Sequence, residues 1–145
     1  MPTEAPGVGH VLHYSYLWWN EQRRGCEEGR KDRPACIIIN KKTRNSETLL
    51  YVLPITHTPP KEPEHGIEIP QLTKRRLGLD NERSWIIVTE FNKFTWPGYD
   101  IRKVPSSEDY SYGILPEKLI HQVINAVLEN SRKQRLTPID RDDHT

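Results

Sequence analysis

Apolar residues fall along this chain in short blocks separated by polar ones, and the blocks have the period of strands rather than of helices. The segment GHVLHYSYLWW (9–19) alternates roughly and is rich in aromatic and β-branched residues, so it predicts a first strand. RPACIIIN (33–40) predicts a second, with Pro34 confined to its start or an edge because proline has no N–H to give a ladder. TLLYVLPIT (48–56) predicts a third, joined to the second by the polar NKKTRNSE as a hairpin. HTPPKEPEHG (57–66) has three prolines and predicts irregular chain. IEIP predicts a short strand. PQLTKRRLGL (70–79) predicts one or two helical turns stopped by Gly78. SWIIVTEF (84–91) predicts a fourth long strand, and NKFTWPGYDIRKV a fifth with a Pro-Gly turn.

The period then changes. In LPEKLIHQVINAVLENSRKQ the apolar residues fall at 115, 119, 120, 123, 124, 127 and 128, one stripe of a helix with Pro116 near its start. Beyond Leu136 the chain is polar and is expected to fray. Five or so short strands followed by one amphipathic helix, without βαβ alternation or internal repeats, predict a mostly β chain: a small, strongly curved antiparallel barrel or sheet with a C-terminal helix.

Composition narrows the function. A chain of 145 residues fits a single domain, 1–145, with its core at about 7–130. The formal net charge is +1, so the molecule as a whole has no steering field, and a nucleic-acid site has to come from local clustering. Arg23, Arg24, Arg30, Lys31 and Arg33 form one such cluster, with Glu27 and Glu28 interleaved; Lys41, Lys42 and Arg44 form another, and Lys74, Arg75 and Arg76 a third. Taken singly, each is most simply a solvated face. The polar stretch 19–32 that carries the first cluster reads as a long loop, a common place for function in a small domain. Cys26 and Cys36 give neither a disulfide framework nor a zinc motif, and Cys36 reads as a small core residue. No stretch has the length of a signal peptide or a membrane span, so the expectation is a soluble, cytoplasmic protein.

These elements resemble the PemK/MazF toxins, the ribonuclease halves of bacterial toxin–antitoxin pairs. The resemblance rests on the opening GHVLHY, on EGRKDRPACIII with Arg-Pro-Ala entering an aliphatic strand, on YVLPIT with its Pro-x-Thr, on VTEFNKFTW, and on the helix LPEKLIHQVINAVL, in that order over about residues 7–130. It implies an SH3-like barrel, a homodimer and an antitoxin partner. It also implies cleavage of single-stranded RNA by attack of the ribose 2′-hydroxyl on phosphorus, with no metal and no cofactor. Relatives use the arginine of Arg-Pro and the threonine of Pro-x-Thr, which are Arg33 and Thr56 here. An acidic residue five positions before the arginine occurs in some relatives, and Glu28 stands there. Arg23, Arg24, Arg30, Lys31 and His57 are the expected RNA-binding residues.

The chemistry suits these residue types. Such cleavage needs a base for the 2′-hydroxyl, a cation for the phosphorane and an acid for the leaving oxygen. Arginine matches two phosphate oxygens with its planar fork. The sequence departs from the family at His10, where relatives carry Asp, and at Thr89-Glu90, where relatives often carry Asp-Gln. Those departures keep a second reading open: an SH3-like barrel that binds RNA or a protein partner without cutting. Simpler roles stand beside the functional ones. Arg33 can pair with Glu28 or Asp32 on the surface, Thr56 can satisfy a strand end, and His13, His57 and His65 can be bystanders, with His57 the best placed beside Thr56. Trp18, Trp19, Trp85 and Trp96 read first as core, with one of the Trp18-Trp19 pair facing out. His57 and His65 lack a recognised metal-ligand spacing, so no metal site is expected.

Overall fold

The computed structural model describes residues 4–18, 32–98 and 101–142. Within them the chain is a mostly antiparallel β-sheet with two helices. The strands are β1 (His10–Ser15), β2 (Asp32–Lys42), β3 (Thr48–Thr56), β4 (Gly66–Glu68), β5 (Trp85–Ile87), β6 (Glu90–Trp96), β7 (Ile101–Arg102), β8 (Ser111–Ile114) and β9 (Thr137–Asp140). The helices are α1 (Gln71–Leu77) and α2 (Glu117–Arg132), and a single 3-10 turn, Pro63–His65, interrupts the proline-rich stretch.

The hairpin β2–β3 is the centre of the sheet. β1 lies on the outer side of β2 and in turn pairs with β7 and β8; β3 pairs on its far side with β5 and β6. Among the described residues no ladder joins the β7 and β8 side to β4 or β9, so the sheet curves without closing there. At Pro34 the strand is paired with β1 only, opposite His13, and the ladder to β3 begins one residue later at Ala35–Pro54. The proline therefore sits where its missing N–H costs least.

Alternation along the strands builds two apolar layers. Val11, Cys36, Ile38, Leu53 and Ile55 face α2, which buries Leu119, Val123 and Val127 against them. Leu12, Tyr14, Ala35, Ile37, Leu50, Val52, Phe94 and Trp96 form the other layer. Cys36 is buried, as its place in an apolar run predicted, and burial pushes its thiol up to about 12. Gly78 ends α1 in the left-handed region at φ 72°, where glycine carries no Cβ penalty.

Three expectations change. SWIIVTEF is not one long strand: β5 pairs with the end of β3, β6 with its first half, and the register slips between them. Ser111–Ile114, too short and polar to stand out, is a strand against β1. The tail after Leu136 does not fray through Asp142. Thr137–Asp140 adds to β6 as a parallel strand, Ile139 is 0% exposed, and the Arg141 guanidinium donates to the Ser15 carbonyl at 3.1 Å. One buried isoleucine and a charged anchor hold a segment whose composition is otherwise that of a loose end.

Candidate active site

The end of β3, the start of β2 and the chain just after α1 meet at an open cleft of about 590 Å³. Arg33, Thr56 and His57 all line it. The ladder explains how residues distant in sequence converge: β2 and β3 run antiparallel, so the entrance of one lies beside the exit of the other. Arg33 is half-buried, opposite Tyr14 in the β1 ladder, with its guanidinium carbon 5.0 Å from the centre of the Trp18 ring. That contact holds the planar head of the side chain in a cation–π stack. Arg33 and Thr56 also border a second opening of about 730 Å³, with Trp18, Thr89 and Glu90. The Thr89-Glu90 pair, noted in the sequence as a departure, thus lines this second opening and not the one that His57 lines. Glu90 accepts a hydrogen bond from the Tyr16 hydroxyl at 3.2 Å, and burial, then Glu90, raises that phenol far above its ordinary value.

Thr56 does the strand-end work expected of it. Its Oγ1 accepts the Thr58 N–H at 3.1 Å. The hydroxyl keeps its own proton to donate into the cleft. Glu28, Arg23, Arg24, Arg30 and Lys31 lie outside the described residues.

The side chains around His57 were not found by sequence reasoning. Its Nε2 is 2.7 Å from Asp80 Oδ2, and its Nδ1 is 3.7 Å from Glu82 Oε2. Lys74, which the sequence presented as one of three basic residues on a solvated face, is 1% exposed. Its ammonium donates to Asp80 Oδ1 at 2.5 Å, to Ser84 Oγ at 2.7 Å and to the Glu82 carbonyl. Burial works to raise the Asp80 carboxyl, but hydrogen bonds from Lys74, His57 and the Glu82 N–H outweigh it and hold the group below its ordinary value. One signal was available: Lys74 stands three before Leu77, and both are buried on α1.

On the other wall His13 faces the cleft. Its Nδ1 is 3.0 Å from the Tyr112 hydroxyl, its Nε2 is 3.9 Å from Asp32, and Asp32 lies 3.8 Å from Arg102. Burial lowers the His13 pKa; Asp32 opposes that and Arg102 adds to it. His65 lines the second opening instead. The potential metal ligands are therefore not His57 with His65. Among the described residues, His57, Asp80 and Glu82 bring ligand atoms within 4.8 Å of one another. Asp80 already answers the Lys74 ammonium there.

No family model and no curated protein matches this chain. No helix among the described residues is long and apolar enough to cross a membrane.

Proposed function

We propose that this protein is an endoribonuclease of the PemK/MazF kind, cutting single-stranded RNA by metal-independent transesterification and held in check by an antitoxin. The single observation that carries the reading is the convergence of Arg33, Thr56 and His57 on one open cleft. Those are the arginine and threonine that the resemblance put forward, joined by the histidine that adjoins the threonine. In this reading the guanidinium of Arg33 grips the scissile phosphate and answers the charge that builds on it. Thr56 donates to a phosphate oxygen. The 2′-oxygen loses its proton to a base and bonds to phosphorus while the bond from phosphorus to the 5′-oxygen breaks. That oxygen leaves with a proton from an acid, the role we give Glu28. Arg23, Arg24, Arg30 and Lys31 bind the RNA backbone on either side. The same reading brings an SH3-like barrel and a homodimer, in which a second subunit completes the groove.

The test is direct. The purified chain, incubated with single-stranded RNA in the presence of EDTA, should leave 2′,3′-cyclic phosphate and 5′-hydroxyl ends. Binding without any cleavage would favour the non-catalytic barrel, and a strict need for added divalent metal would remove the mechanism.

A further inference from the structure

A ribonuclease of this kind needs a base, and the contacts around Asp80 specify one nitrogen for that work. Lys74 is buried. An ammonium removed from water has to be paired and hydrogen-bonded. It has three N–H groups, and each finds an acceptor: Asp80 Oδ1, Ser84 Oγ and the Glu82 carbonyl. Asp80 Oδ1 takes a second donor as well, the Glu82 N–H at 3.1 Å. Rotating the carboxylate would break the buried contacts to Oδ1, so Oδ2 is the oxygen left for His57. An ionised carboxylate only accepts hydrogen bonds, and Asp80 is the carboxylate that answers the buried Lys74 ammonium. The nitrogen that faces it, Nε2, must then carry the hydrogen. In the neutral imidazole the lone pair is on Nδ1. The nearest carboxylate oxygen to Nδ1 is Glu82 Oε2 at 3.7 Å, outside hydrogen-bond range.

We infer that Lys74 and Asp80 are a positioning pair that holds His57, a residue lining the cleft, in its Nε2–H tautomer, leaving the Nδ1 lone pair as the general base for the 2′-hydroxyl of bound RNA. The base role rests on the ribonuclease reading; the tautomer does not. In the reaction the 2′-hydroxyl proton passes to Nδ1 as the 2′-oxygen bonds to phosphorus. The bond to the 5′-oxygen breaks, and that oxygen takes its proton from a general acid. The imidazolium formed lies between two carboxylates, Asp80 at 2.7 Å and Glu82 at 3.7 Å, which stabilise its charge. Lys74 does not touch the substrate; it acts through Asp80, and Asp80 through His57.

The experiment reads the tautomer first. Long-range proton–nitrogen correlation spectra of the ¹⁵N-labelled full chain, recorded across a pH series so that the neutral ring is observed, with the His57 signals assigned by their loss in His57→Gln, should show Nε2 protonated and Nδ1 bare in the neutral form. Asp80→Asn keeps the shape but turns an amide N–H toward His57, so the tautomer should switch to Nδ1–H. Its single-turnover cleavage should fall by about 10²- to 10⁴-fold, the scale of a lost general base, with RNA affinity little changed. The same substitution added to His57→Gln should cost nothing further. A mixed or Nδ1–H tautomer in the wild-type chain overturns the inference, as does an Asp80→Asn protein that keeps the wild-type tautomer. A change in the His57 signals on adding EDTA would mean that a cation holds the cluster, and overturns it too. If Asp80→Asn does not fold, the wild-type spectrum still decides. A chain that shows the Nε2–H tautomer yet cuts no RNA removes the base role through the ribonuclease reading and leaves the clamp in place.

Discussion

The Asn92 side chain holds the backbone of Leu17 from both sides: its Oδ1 accepts the Leu17 N–H at 2.9 Å, and its Nδ2 donates to the Leu17 carbonyl at 2.8 Å. Asn92 is 0% exposed, so neither backbone group has water to turn to. The contact ties β6 to the chain as it leaves β1, immediately before the stretch 19–31 that carries the proposed RNA-binding arginines. Replacing Asn92 by Asp keeps the acceptor but sets an oxygen against the Leu17 carbonyl. Asn92→Asp should lower stability by about 1–3 kcal/mol, the scale of an unsatisfied buried polar group. Asn92→Leu should cost a similar amount. Chemical denaturation of the variants checks this, and a change below about 0.5 kcal/mol would mean that the clamp holds nothing.

The C-terminal strand makes a second prediction, opposite to what its composition implies. Ile139→Ala removes a fully buried side chain and should cost about 2–5 kcal/mol. Arg141→Ala leaves the Ser15 carbonyl without its guanidinium partner and should be destabilising as well. Truncation after Leu136 should broaden or abolish the cooperative thermal transition. Wild-type-like melting of the truncated chain would return the tail to the status of a loose end.

Acid should weaken the fold in two separate windows. Burial lowers the pKa of His10 and His13 from 6.5, so the folded state binds protons there less readily than the unfolded chain. Stability contributed by the neutral rings is complete above 6.5 and is lost as the pH falls through the folded values. Asp80 and Glu108 are held low by their cationic partners, so their contribution survives that window and is lost only below their ordinary 3.8 and 4.5. His13→Gln and His10→Gln should each flatten the upper step of a melting-temperature profile against pH and leave the lower step. An unchanged upper step in both would mean that neither ring is buried neutral.

What could be read from the sequence follows from the range of the interactions. The β3 segment Thr48–Thr56 is found where the apolar block was drawn, because its alternation and its turn are local. The helix stop at Gly78 is equally local. Arg33 and Thr56 could be put forward as candidates because motif residues are contiguous in sequence, and both line the cleft. Asp80 could not: what makes it special is a buried ammonium six residues before it and a ring twenty-three residues before it, brought together by packing. Lys74 was hidden by its neighbours, since three consecutive cations look like surface until one of them is found on the core face of the helix. β9 was hidden by length, one apolar residue in four being too short a pattern to show a period.

The last prediction concerns Arg33 itself. If it grips a phosphate, its contribution is more than a point charge, because lysine keeps the charge but lacks the bidentate fork and the flat face that stacks on Trp18. Arg33→Lys should therefore keep much of the salt-sensitive RNA binding while losing most of the cleavage. Neutralising one member of the adjoining basic cluster should do the opposite. Arg30→Ala should weaken binding and reduce its salt slope by about one, with turnover of the saturated complex little changed. Affinity measured against salt, with single-turnover cleavage in parallel, separates the two roles. Equal proportional losses of binding and cleavage in both variants would make Arg33 one more cation in a patch. The proline that follows it would then serve only to start a strand, and the cleft would be better read as a binding surface than as a place where RNA is cut.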